Sequence, residues 1–225
     1  MDKAEILQVI NECSEWYQKI QLPFDLETPG RDRSQIANQI LPTDFEGASV
    51  LDIGCAEGFF CFEAKKRNAG RVVGIEPNGE RLDTAIRLSS FLSMDIEFLQ
   101  QSIEDIEELG TFDYVLCLNV LYHVKDPICV IHKLVHTTRG KLILETADLR
   151  AKFSDITGHR WWRPLFKLSS FLLRPPVLMI DSRGKFLITR KWMEHFLLNQ
   201  FPNIERIEFL NSDRPNRYLV VVSCF

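Results

Sequence analysis

Apolar residues recur at every third or fourth position from Ile6 through Ile10, Cys13 and Tyr17 to Ile20, with Lys3, Glu5, Asn11 and Glu12 between them. That period predicts an amphipathic helix over 3–20, closed off by Pro23 and the Thr28-Pro29-Gly30 turn. A short helix over 33–41 runs to Pro42, and the chain then alternates regularly. Strands are predicted over 48–53, 71–75, 95–100, 112–118 and 140–146, and helices over 58–67, 79–91 and 127–137. The apolar strands Arg71 to Ile75, Tyr114 to Leu118 and Leu142 to Leu144 suit a parallel, doubly wound sheet covered on both faces. Near the end, Thr189 is placed to cap a helix over 190–200 with Trp192, Phe196 and Leu197 inward. Strands over 204–210 and 217–224 follow, joined by the polar link Asn211 to Asn216 as an antiparallel hairpin.

Residues 147–190 break this rhythm with a stretch too long for an ordinary strand-to-helix link. One domain over 1–225 is expected, made of a helical lead-in (1–45), a core (46–146), an inserted lid (147–190) and a closing helix and hairpin (191–225). With 45% hydrophobic and 26% charged residues, the composition excludes collagen-like and disordered classes. The net charge of -4 offers no global cationic surface. That average conceals an asymmetry: residues 148–191 carry ten Lys or Arg against three Asp, a local +7, and the remainder carries -11. Six scattered cysteines without a Cys-x-x-Cys pair, and five histidines without a His-Glu-x-x-His arrangement, suit reduced thiols and no metal. No apolar run reaches transmembrane length, so a cytoplasmic location is expected.

The segment Val50 to Phe60, VLDIGCAEGFF, passes from a buried strand through Gly54, Ala56 and Gly58 directly into a helix. Small residues there allow a tight turn and close backbone approach, and the helix start offers free N–H groups. About twenty residues on, Glu76 ends the next strand, where a carboxylate can accept from both hydroxyls of an adenosine ribose. A third strand end, Gln100 to Ile103, adds a polar and an apolar contact suited to an adenine edge and face. Dinucleotide binding would require Gly-x-Gly-x-x-Gly, a register absent here, and Glu57 would set a negative charge against a pyrophosphate.

With these residues in place, the pattern resembles the class I S-adenosylmethionine-dependent methyltransferases over about Ala48 to Phe225. The resemblance implies a Rossmann-like α/β fold, with a seven-stranded, mostly parallel sheet and an antiparallel C-terminal hairpin, and S-adenosyl-L-methionine as cofactor. It implies that Asp52, Gly54, Cys55, Ala56 and Gly58 line the methionyl end, Glu76 and Pro77 the ribose, and Ser102 and Ile103 the adenine. Asn119 and Tyr122 would lie beside the donor. Val50 replaces the usual leading acid of the motif, Ala56 its middle glycine, and Ser102 a frequent aspartate. The segment NVLYHVKDP (Asn119 to Pro127) and the lead-in Trp16-Tyr-x-x-Ile20-x-Leu22 more narrowly resemble the methyltransferases that complete 5-oxyacetyl-uridine at the transfer RNA wobble position, and their small-molecule relatives. The 225-residue chain lacks much of the N-terminal region of the true wobble-uridine enzymes, so ordinary S-adenosylmethionine is expected rather than a carboxylated cofactor.

Methyl transfer needs an aligned nucleophile and relief from its proton, and His123 and Glu145 are the catalytic candidates. His123 follows a strand end and has a reference pKa suited to proton transfer at neutral pH, and Glu145 ends the next strand. Trp16 and Tyr17, with His159, Arg160, Trp161, Trp162 and Arg163 of the insert, are assigned to the acceptor, because interleaved cations and aromatic faces suit an anionic group beside a planar one. The expected reaction is O-methylation of a small or medium-sized anionic metabolite, with a homodimer left open as the assembly. A transfer RNA substrate and a catalytically silent partner protein are the alternatives.

Overall fold

The computed structural model describes residues 2–148, 178–180 and 186–225, with 179 and 180 described by their backbone alone. The strands, in chain order, are β1 (Gln21–Leu22), β2 (Leu26–Glu27), β3 (Val50–Ile53), β4 (Val72–Ile75), β5 (Glu97–Leu99), β6 (Phe112–Leu118), β7 (Thr138–Ala147), β8 (Leu178–Ile180), β9 (Phe186–Ile188), β10 (Ile204–Asn211) and β11 (Arg217–Cys224). The helices are α1 (Lys3–Glu12), α2 (Ser34–Ile40), α3 (Phe59–Lys66), α4 (Gly79–Phe91), α5 (Pro127–Thr137) and α6 (Arg190–Gln200), with a 3-10 helix at Ile103–Leu109.

Seven strands form one sheet in the order β10-β11-β7-β6-β3-β4-β5. β3, β4 and β5 are parallel neighbours, and β11 runs antiparallel to both β7 and β10, which is the expected mostly parallel sheet with its C-terminal hairpin. All four residues of β3 and of β4 are buried, which explains why both strands are apolar but for Asp52 in β3. Gly74 in β4 leaves room for its neighbours: a Cβ there would lie 2.8 Å from the Phe98 ring and 2.9 Å from Cys61 Sγ.

Within this fold the chain divides into two compact units, Met1–Leu116 with His136–Gly140, and Cys117–Val135 with Lys141–Phe225. In the first, α4 starts where the Asn78 side chain accepts from Arg81 N at 3.0 Å. In the second, α6 starts where Thr189 accepts from Trp192 N at 3.3 Å, as expected from its sequence. The inward face of α6 differs from the expectation. Met193 and Leu197 are its buried residues, whereas Trp192 and Phe196 are half-buried and stack on one another with centroids 4.7 Å apart.

The first helix is also shorter than its period predicts, ending at Glu12. Residues 16–31 instead form a strap. Lys19 N donates to Arg31 O at 2.8 Å, Arg31 N to Tyr17 O at 3.2 Å, and the Thr28 hydroxyl to Gln18 O at 2.7 Å. Gly30 passes so close that a Cβ would lie 2.3 Å from the Gln18 backbone. Long-range partners outcompete the helical ladder, because the Tyr17 amide is claimed by a carboxylate forty residues away.

Candidate functional site

The first unit builds a tight turn between β3 and α3. Gly54 N and Cys55 N both donate to Ile75 O, at 2.8 and 3.0 Å, and Gly58 N closes back onto Cys55 O at 2.9 Å. Gly54, Ala56 and Gly58 have φ of 69°, 50° and 92°. An alanine in this left-handed region carries Cβ strain that a glycine would not. At Gly58 a Cβ would meet the Phe98 and Phe62 rings at 3.0 and 3.1 Å, so both geometry and space require the glycine.

Glu76 clasps this turn. Its Oε2 accepts from Ala56 N at 3.1 Å and its Oε1 from Asn78 N at 3.0 Å, and the side chain is 7% exposed. Each carboxylate oxygen has a second lone pair, so the capacity to accept from a diol remains. Asp52 lies beneath, 2% exposed, with Cys61 Sγ donating to it at 3.6 Å. Burial pushes the Asp52 carboxyl up to about 7, the Cys61 thiol opposes that rise, and the nearby Glu76 charge adds to it. Pro77 contributes its carbonyl to Gln100 Nε2 at 3.2 Å. Ile103 is buried, while the Ser102 hydroxyl donates to the Glu104 carboxylate.

Two residues that sequence reasoning left out of the site complete it. Gln18 Oε1 accepts from Phe59 N, the first amide of α3, at 2.9 Å. Glu57, fully buried, accepts from Tyr17 N at 3.1 Å through Oε1. Burial raises the Glu57 pKa, and the backbone amide of Tyr17 moderates the rise. The signal that could have found them is the polar residue in an otherwise apolar stretch: Glu57 between two small residues, and Gln18 on the buried side of the lead-in. Trp16 is half-buried, with its indole N–H donated to Ile10 O at 3.1 Å, beyond the end of the strap.

The second unit holds the other candidates. Asn119 has φ 68° and donates through N to Glu145 O at 3.0 Å and through Nδ2 to Glu145 Oε2 at 2.6 Å. Ser212 Oγ donates to the other oxygen of Glu145 and accepts from Arg214 N at 3.0 Å. Glu145 is thus fully buried with both oxygens engaged, tying the end of β6 to the hairpin loop. Because a carboxylate only accepts, the Asn119 amide is oriented with Nδ2 towards Glu145 and Oδ1 away from it. Tyr122 is buried with Ala147 and Leu187 under the Arg217 guanidinium, 4.8 Å from its ring centroid. His123 is exposed, its ring centroid 4.3 Å from that of Tyr122. His159, Arg160, Trp161, Trp162 and Arg163 lie outside the described residues. All six cysteines are free, no cluster of three metal-ligating side chains occurs among the described residues, and no helix among them is long and apolar enough to cross a membrane.

The turn fits an adenosyl cofactor that lacks phosphate. Gln18 occupies the first amide of α3, Glu57 adds negative charge beside it, and the Glu76 carboxylate keeps lone pairs able to accept from a diol. Known proteins agree with this chemistry. Residues 44–163 match the family model described as a methyltransferase domain. A tRNA U34 carboxymethyltransferase of Alteromonas mediterranea is 37% identical over 109 residues, covering 45% of this chain and 33% of that protein. A ubiquinone biosynthesis O-methyltransferase of Xanthomonas oryzae pv. oryzae is 35% identical over 109 residues, covering 47% and 45%. The chain therefore spans less than half the length of either relative. Among solved structures, the N-terminal domain of EvdMO1 with S-adenosylhomocysteine bound superposes with a TM-score of 0.71 at 18% identity, covering 100% of this chain and 98% of that one. Magnesium protoporphyrin IX methyltransferase from Synechocystis PCC 6803, with S-adenosylmethionine bound, gives 0.55 at 17% identity, covering 84% and 74%. Strand order, glycine turn and family match converge: the chain has the fold of those structures and belongs to the methyltransferase-domain family.

Proposed function

We propose that the enzyme methylates an oxygen of a small or medium-sized anionic metabolite. The observation that carries the reading is the local charge of +7 over residues 148–191, set against an otherwise acidic chain, with Arg160, Trp161, Trp162 and Arg163 at its centre. Similarity to a ubiquinone biosynthesis O-methyltransferase supports oxygen as the acceptor atom. The cofactor supplies an electrophilic sulfonium methyl, and the chain supplies alignment and one proton acceptor. That acceptor is His123, which is exposed, rather than Glu145, whose oxygens are both engaged within the chain. The six free thiols suit a reducing, cytoplasmic compartment.

A second reading, transfer RNA methylation, is favoured by the 37% identity to a tRNA U34 carboxymethyltransferase. Incubation with methyl-labelled S-adenosylmethionine separates the two. Label is expected in the acidic small-molecule fraction of a bacterial extract and not in unmodified transfer RNA. Label in RNA alone would transfer the assignment to the second reading, and label in neither would point to a catalytically silent partner protein.

A further inference from the structure

The tip of the hairpin between β1 and β2 holds a strained residue that its own chain does not bury. Leu26 N donates to Pro23 O at 3.4 Å, and the two residues enclosed by this bond, Phe24 and Asp25, have φ of 62° and 57°. Asparagine or aspartate followed by glycine suits such a tip. A bulky side chain in the left-handed region is an outlier, because its Cβ crowds the following carbonyl. Phe24 is nevertheless 51% exposed, so packing within the chain does little to offset the strain. Strain kept at an exposed aromatic residue points to a use beyond the protomer's own core.

A matching hollow lies on the same strap. A cleft open to solvent, with an empty volume of about 430 Å³, runs between the strap and α3 and is walled by Ile20, Phe59 and Phe62, with Gln21 of the hairpin at its edge. Aromatic walls of this kind take a further ring edge-on or offset. On the α3 side the rim carries one cation in excess, since Glu63 is shared between Lys66 at 2.8 Å and Arg67 at 2.6 Å. On the strap side Lys19 already pairs with Glu27 at 2.8 Å, and Asp32 accepts from Ser34 N at 2.8 Å. Asp25, exposed next to Phe24, forms no ion pair among the described residues. We propose that this face is the interface of a homodimer, in which Phe24 of each protomer enters the cleft of its partner and Asp25 is drawn to the Lys66 rim. A second copy is the fitting occupant because ring and hollow, anion and cation are supplied together by one patch, as a two-fold interface requires.

The inference depends on neither cofactor nor acceptor, and sedimentation of the full chain tests it. The mass should rise from 26.1 kDa towards twice that value as concentration passes through the micromolar range. Phe24→Gly, which suits the tip and removes the ring, should weaken association by about thirtyfold or more, as for a buried aromatic anchor. In the dissociated chain the same substitution should leave the urea midpoint level or raise it, because the strain is relieved. Asp25→Lys should weaken association by about threefold or more, and adding Lys66→Glu should restore it to within about twofold. A chain that stays monomeric at millimolar concentration overturns the proposal, as does a dimer that Phe24→Gly leaves intact or a charge exchange that restores nothing. A lowered urea midpoint in Phe24→Gly would show the ring serving its own chain and would overturn it too.

Discussion

Asp52 sits within the buried strand β3 with the Cys61 thiol donating to it, and burial lifts its carboxyl from an ordinary 3.8 to about 7. Between those values the folded chain holds a proton that the unfolded chain has released. The contribution of Asp52 to stability is therefore greatest below about pH 4, declines as pH rises towards 7, and is flat above that. Asp52→Asn, neutral throughout, should match the unaltered chain near pH 4 and exceed it at pH 8 by on the order of 2–4 kcal/mol, read from urea unfolding at both pH values. An equal effect at the two values would remove the ionisation from the explanation. Sequence placed Asp52, Gly54, Ala56, Gly58 and Glu76 together because a strand-turn-helix with a following strand fixes their positions through the backbone alone. It did not place Gln18 or Glu57 in the site, because each is defined by a contact about forty residues distant, which no local pattern encodes.

At the scale of elements, legibility follows the boundary chemistry. The helices α4 and α6 were predicted with their observed bounds, Gly79–Phe91 and Arg190–Gln200, and both carry a side-chain cap at their first turn. Strands β6 and β11, long and apolar, also matched at Phe112–Leu118 and Arg217–Cys224. The lead-in failed because its helical period continues past the point where tertiary partners take the backbone, so α1 stops at Glu12 and the remainder becomes the strap. The short ribbons β1–β2 and β8–β9 and the 3-10 helix carry too few residues to show a period. If the strap anchors the start of α3, then Gln18→Leu, which keeps the volume but leaves Phe59 N buried without its acceptor, should destabilise the chain by about 1–3 kcal/mol in urea unfolding. No change would mean that the contact contributes nothing to folding.

For the whole molecule, the sequence divides into an acidic majority and a basic stretch over 148–191, the division on which the proposed anionic acceptor rests. A cofactor with a sulfonium and an ammonium gains from a negative surround, and an anionic acceptor gains from a positive one. Cofactor binding and folding should be linked. S-adenosylhomocysteine at about a hundred times its dissociation constant should add about 2.7 kcal/mol to the unfolding free energy, while NADH at equal concentration should add nothing, as thermal unfolding would show. Stabilisation by NADH would instead revive the dinucleotide reading. The seat filled by Gln18 has a consequence for selectivity inside a cell. Adenine and ribose are shared by ATP and its relatives, which outnumber most adenosyl metabolites, so a site reading only those parts would be saturated by bystanders. If the turn holds the proposed cofactor, the uncharged Gln18 amide on the first amide of α3, with Glu57 beside it, would disfavour a triphosphate tail there and spare adenosine recognition from a crowd of nucleotides.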